Sequence, residues 1–170
     1  MPRSHQATNK EPVGFEAVSG SVEETQACGE RVGRLLRPGD VVALYGALGS
    51  GKTTLIQGIA QGLRRDPEAI KSPTFVLMRE YPGEVPLIHI DGYRLEDTRA
   101  VSWLDLDLMF SPRKVTVIEW AERFVGCLPA DYLEIRLAHK TTNQRSMTII
   151  QHGARSAEMV AALKHDDPRD

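Results

Sequence analysis

The chain is 170 residues long, 41% hydrophobic and 26% charged, with a formal net charge of -2, which describes one ordinary globular domain able to bury about 70% of its unfolded surface without disulfides or a structural metal. Its two cysteines, Cys28 and Cys127, stand far apart with no C-x-x-C spacing and no His cluster beside them, so zinc-ribbon, iron-sulfur and secreted disulfide frameworks are disfavoured. The charge balance gives no global attraction to a polyphosphate surface, and no apolar run approaches the roughly 18 to 20 residues of a membrane helix; a cytoplasmic protein that does not bind nucleic acid unaided is expected.

Residues 1–12 mix charge and turn residues without a period and read as a loose tail, followed by a single domain over 13–163 and a second tail over 164–170. A short edge strand is expected around Phe15 to Val18. Ser21 followed by Glu24 forms a capping box, after which Cys28, Val32, Leu35 and Leu36 recur at helical spacing until Pro38-Gly39. Val41 to Tyr45 is a continuous apolar run, the pattern of a strand buried on both faces. Beyond a glycine-rich turn, Leu55, Ile56, Ile59, Ala60 and Leu63 mark one face of a helix that Arg64, Arg65 and Pro67 close.

Phe75 to Tyr81 and Val85 to Ile90 predict a hairpin across Pro82-Gly83-Glu84. The stretch Leu95 to Phe110 reads as helical in part. Val115, Val117 and Ile118 predict another buried strand, ending at Glu119-Trp120, and Tyr132–Leu137 with Met147–Ile150 predict a second hairpin before a helix from about Ala157 to Leu163. Interleaved strands and helices with added hairpins define an α/β class with a mixed central sheet.

Gly46-Ala47-Leu48-Gly49-Ser50-Gly51-Lys52-Thr53 fits G-x-x-x-x-G-K-[ST] at every fixed position. The glycines let successive main-chain N–H groups turn inward on a phosphate, and the helix that follows presents its positive end to the same anion. Gly46, Leu48, Gly49, Ser50, Gly51, Lys52, Thr53 and Thr54 are therefore the expected nucleotide-binding set. Lys52 is expected to reach the β and γ phosphates and the Thr53 hydroxyl to ligate magnesium. The bland alternative, a turn joining two elements, is disfavoured because the match lies between a buried strand and an amphipathic helix.

Hydrolysis further needs a carboxylate near the metal and a group that orients water. Asp91, after Leu87-Ile88-His89-Ile90, and Glu119, after Val115-Thr116-Val117-Ile118, each sit where an apolar strand meets a loop. Both border the ligand crevice if their strands run parallel to the one before Gly46; which acid holds metal and which holds water stays open. Period two puts His89 on the face of Asp91, where it serves either the site or the core. Ser72-Pro73-Thr74-Phe75 offers hydroxyls for a γ-phosphate but equally an ordinary turn. Tyr93-Arg94 reads as site or solvated loop, Trp120 as a core aromatic or a site contact, and Arg145 as a candidate to pack on an adenine ring.

Four blocks, Tyr45 to Thr54, Lys71 to Phe75, His89 to Leu95 and Ile118 to Arg123, together resemble the TsaE family, also called YjeE, in order and spacing. The resemblance runs from about Ser21 to Gly153. It implies a P-loop NTPase fold with a mixed, mostly parallel sheet, ATP/ADP and Mg2+ as ligands, and slow ATP hydrolysis. It also implies the partners TsaB and TsaD in synthesis of threonylcarbamoyladenosine (t6A) on tRNA, with tRNA met only through that complex. By the same resemblance, Lys52, Asp91 and Glu119 are the catalytic residues and Thr53, Asp91 and Glu119 the metal-side residues. Thr74 lies in a switch-like segment, Trp120 is the aromatic beside the second acid, and Thr25 and Arg145 fall near the nucleotide. Two positions depart from the family pattern, Ala47 where an acid is common and Gly92 where leucine is; neither supplies a core phosphate or metal contact.

The same cradle would serve a small-molecule kinase, but no arginine-lined lid insert is present. A GTPase would carry D-x-x-G and N-K-x-D after the loop, and neither occurs there. An ATP-sensing module without turnover is the alternative from another class. No arginine is placed as an obvious finger, which predicts weak activity alone and stimulation by partners.

Overall fold

Alternating apolar strands and amphipathic helices close into one seven-stranded sheet in the computed structural model, which describes residues 14–73, 76–95 and 105–166. The expected N-terminal tail, Thr74, Phe75 and the segment 96–104 lie outside the described residues. In chain order the elements are β1 (Gly14–Ser19), α1 (Val22–Leu35), β2 (Val41–Tyr45), α2 (Lys52–Gly62), β3 (Met78–Tyr81) and β4 (Leu87–Asp91). They continue with α3 (Leu106–Met109), β5 (Val115–Glu119), β6 (Tyr132–His139), β7 (Arg145–His152) and α4 (Ala154–His165). One-turn 3-10 helices span Pro67–Ala69 and Ala121–Phe124.

The strand order is β1-β7-β6-β2-β5-β4-β3. Its centre is parallel, β2 pairing with both β6 and β5, and β5 with β4, while β3, β7 and β1 are added antiparallel. The fold is thus the α/β architecture with a mixed, mostly parallel sheet that the sequence pattern predicts. Ser21 caps α1 as expected, its Oγ accepting from Glu24 N at 3.0 Å, while the Glu24 carboxylate accepts from Gly20 N, one residue before the cap, at 2.5 Å. α4 runs to His165, two residues past the expected helix end at Leu163, with the Lys164 cation in its last turn, where it suits the helix dipole. Among the described residues no helix is long and apolar enough to cross a membrane.

The larger core lies between the sheet and α1, α2 and α4, with Val32, Leu44, Leu55, Ile56, Ile59, Val117, Ile135 and Met159 all essentially buried. A smaller one on the opposite face joins Ala43, Ile90 and Ile118 to Met109 and Phe124. α1 and α2 approach closely because four glycines face backbone. A Cβ on Gly29 would lie 2.2 Å from Leu55 O, on Gly33 2.2 Å from Ile59 O, on Gly58 2.1 Å from Gln26 O and on Gly62 2.4 Å from Glu30 O. This seam anchors α2, whose first residue is Lys52. Gly58→Ala is expected to cost about 2 to 3 kcal/mol, the range for overpacking a tight core. Urea denaturation measures it, and an unchanged midpoint would mean that the two helices part freely.

Candidate functional site

The parallel centre of the sheet places three strand ends side by side. Leu44 of β2 is in register with Glu119 of β5, and Glu119 with Asp91 of β4, so both acids lie on one side of the turn that leaves β2 at Gly46. Cross-strand partners share a face, so His89 and Val117, two residues earlier, lie on the face toward α2 with the acids. The strand-end location rests on parallel pairing, which the sequence pattern assumed and the register supplies.

The loop between β2 and α2 needs its glycines. Gly49 and Gly51 have φ of 76° and 104°, the left-handed region that L side chains rarely adopt. A Cβ on Gly46 would lie 2.6 Å from both Leu137 O and Ser50 Oγ. Ser50 N donates to Ala47 O at 3.1 Å, and Leu55 N to Gly51 O at 2.9 Å opens the helix ladder. Among the described residues Ser50 Oγ, buried in this loop, has no hydrogen-bond partner.

Lys52 is 5% exposed. Its Nζ donates to Gly46 O at 2.5 Å and Ala47 O at 2.9 Å and stands 4.3 Å from the centroid of the Trp120 ring. Burial pulls its pKa below the ordinary lysine value, while the negative charges of Glu119, Glu122 and Asp91 oppose that shift. Trp120 has φ 57°, an unfavourable conformation for a bulky side chain. It turns the chain from β5 into the Ala121–Phe124 helix, and its ring meets that of Tyr93 at a centroid distance of 5.2 Å.

The two acids are buried and differently bonded. Glu119 Oε1 accepts from Thr53 Oγ1 at 3.3 Å and faces His89 Nε2 at 2.8 Å. Asp91 Oδ1 accepts from Tyr93 N at 2.9 Å, and Oδ2 accepts from the Ser72 hydroxyl. Gly92 N donates to Glu119 O at 3.0 Å, tying the two strand ends together. The packing also accounts for glycine at that position: a Cβ there would lie 2.6 Å from Phe124 Cε2 and 3.0 Å from Trp120 O.

These groups open into a cleft of about 380 Å³ lined by Leu48, Gly49, Gly51, Lys52, Thr53, Thr54, Ser72, Asp91, Tyr93, Glu119, Trp120 and Arg145. Arg145 comes to the loop from the start of β7, its Cδ 3.3 Å from where a Gly51 Cβ would stand, and its buried Nε has no partner among the described residues. Thr25 is not among the lining residues; it is 1% exposed, with its hydroxyl bonded to Ser19 Oγ at 2.8 Å and donating to Ser21 O at 3.0 Å. Thr74 lies outside the described residues. Ser72 and Tyr93, which the sequence left between site and loop, both line the cleft; the nearby hydroxyl run and the strand-end acid were their signals.

A strand, a glycine loop and a helix at the carboxyl edge of a parallel sheet, with two acids at the neighbouring strand ends, define the P-loop class of nucleotide-binding folds. Residues 19–147 match the family described as "Threonylcarbamoyl adenosine biosynthesis protein TsaE", and the chain belongs to that family. The Bacillus subtilis tRNA threonylcarbamoyladenosine biosynthesis protein TsaE is 36% identical over 146 residues, spanning 85% of this chain and 90% of the relative. The Mycobacterium leprae protein of the same name is 44% identical over 126 residues, 68% of this chain and 77% of that one. The crystal structure of Bacillus subtilis YdiB superposes with a TM-score of 0.76 at 32% identity, covering 92% of this chain and 98% of that one.

Proposed function

We propose that this chain is a Mg2+-dependent ATPase that assists t6A modification of tRNA by binding and hydrolysing ATP in complex with TsaB and TsaD. The observation that carries the reading is the convergence of Lys52, Thr53, Asp91 and Glu119 on one cleft at the end of the glycine loop. The loop suits a triphosphate: its conformation demands glycine, its Ser50 hydroxyl lacks a partner among the described residues, and its lysine is bonded only to carbonyls that phosphate oxygens can replace.

Among the described residues no group of three His, Cys, Asp or Glu could hold a metal ion. Magnesium does not require one, since it is commonly held by one or two protein oxygens together with phosphate oxygens and water. Thr53 Oγ1 and the Glu119 carboxylate, 3.3 Å apart, are the protein oxygens suited to it. When bound, the ion neutralises charge on the β and γ phosphates.

In this reading Lys52 exchanges the Gly46 and Ala47 carbonyls for phosphate oxygens and stabilises charge leaving toward the β phosphate. Main-chain N–H groups of the loop and the N-terminus of α2 hold the rest of the phosphate tail. Asp91, steered by the Ser72 hydroxyl and Tyr93 N, orients the attacking water. Arg145 packs beside the loop at the nucleotide's edge. The product of turnover is a conformational change in the partner assembly, so activity is weak alone.

Phosphate release from ATP by the purified chain, alone and with TsaB and TsaD, tests this. Slow magnesium-dependent release that rises with partners supports it; no release under either condition supports a nucleotide sensor instead. Because the Trp120 ring stands against Lys52 and Tyr93, ATP is expected to change its fluorescence, and a titration in Trp103→Phe, which removes the other tryptophan, checks it. A flat titration would argue that Trp120 is a packing residue only.

A further inference from the structure

We infer that His89 is a positioning residue for Glu119, holding the orientation of its carboxylate at the cleft. The inference rests on the ATPase reading above. His89 is wholly buried on β4, with its Nε2 2.8 Å from Glu119 Oε1 across the parallel pair of β4 and β5. With the carboxylate as acceptor, the Nε2–H is the donor in this contact. Nδ1 is buried with no partner among the described residues. The geometry thus gives the ring one side-chain partner, Glu119, through Nε2.

The consequence falls on the acid. A glutamate side chain has a broad terminal torsion and loses considerable rotamer freedom when fixed. Here Oε1 takes both hydrogen bonds of the side chain, from Thr53 and from His89. Glu119 lines the cleft, so the two bonds to Oε1 set how its carboxylate lies there. The ring of His89 is held by the core between the sheet and α2, which makes it a rigid support rather than a mobile one. The arrangement resembles the outer hydrogen bonds that orient ligating groups in metal sites, whose loss typically costs about 10- to 100-fold in activity or affinity. No role in proton transfer to substrate is needed: His89 acts through Glu119 alone.

Three variants separate positioning from mere packing. His89→Leu fills the core but removes the donor, and is expected to lower kcat for ATP about 10- to 100-fold with KM within about threefold. His89→Gln, whose amide N–H can donate from the place of Nε2, is expected to restore kcat to within about fivefold of the parent protein. In a Glu119→Gln background, His89→Leu is expected to add no further loss. A loss in His89→Leu that Gln does not rescue, or one that persists undiminished in the Glu119→Gln background, would make His89 a packing residue. Unchanged turnover in His89→Leu would overturn the inference outright.

A spectroscopic arm does not depend on turnover. In 15N-labelled full-length protein, the His89 imidazole, assigned by its disappearance in His89→Gln, is expected to show a protected, downfield Nε2–H that moves upfield in Glu119→Gln. An Nδ1-protonated ring, or an Nε2–H indifferent to Glu119→Gln, would overturn the inference. If the protein and its partners release no phosphate, the ATPase reading fails, while this signature still decides whether His89 holds Glu119.

Discussion

Lys52→Ala is expected to weaken ATP binding about 100-fold or more in calorimetric titration with magnesium present. The lysine is the one cationic side chain inside the loop, and it is almost fully buried with its ammonium bonded only to Gly46 O and Ala47 O. Bound phosphate would replace those carbonyls, and each charge-assisted hydrogen bond so formed contributes roughly 1.5 to 3 kcal/mol. Two such bonds account for the expected loss. The fold should survive, because the loop backbone is shaped by its glycines and by the Ala47–Ser50 turn rather than by the ammonium. Unchanged affinity in a folded Lys52→Ala variant would place the nucleotide elsewhere.

Glu119→Gln is expected to leave ATP affinity within about fivefold while reducing phosphate release about 100-fold or more, the scale on which acid-base and metal-positioning groups act. Glutamine keeps the volume of the buried side chain and can still accept from Thr53 and His89, so a structural collapse is not the expected cause. What it loses is the negative charge next to Thr53 Oγ1. Normal turnover would reduce Glu119 to a structural acid and shift the burden to Asp91, which the parallel variant Asp91→Asn would then reveal.

Much of this site is legible in the sequence because its parts are local. The strand Val41–Tyr45, the loop with its fixed glycines and the helix opening at Lys52 form one continuous segment, and each residue's task follows from its neighbours. Asp91 and Glu119 are legible as acids at the ends of apolar runs, but their convergence needed parallel pairing, which no single strand announces. The Thr53–Glu119–His89 chain of contacts was hidden for the same reason. It joins three elements through strand register, and a histidine in an apolar run has the same pattern whether it supports a carboxylate or fills a core.

The glycine seam between α1 and α2 was also illegible, although Gly29, Gly33, Gly58 and Gly62 recur four apart on their helices. Apolar spacing directs attention to Val32, Leu55 and Ile59, and the absence of a side chain becomes informative only once another backbone lies against it. Thr25, which the resemblance brings near the nucleotide, has its hydroxyl bonded to Ser19 and to Ser21 O at the start of α1, contacts that no periodicity announces. α3 is only four residues long, too short for helical periodicity to mark it within the stretch before Phe110.

The most direct measurement is a crystal structure of the protein grown with magnesium and a non-hydrolysable ATP analogue. The account predicts phosphate oxygens within hydrogen-bond distance of the main-chain N–H groups between Gly49 and Thr53, with Lys52 Nζ moved from Gly46 O and Ala47 O onto the β and γ positions. Well-ordered analogue bound away from this loop, with Lys52 still on its two carbonyls, would contradict it.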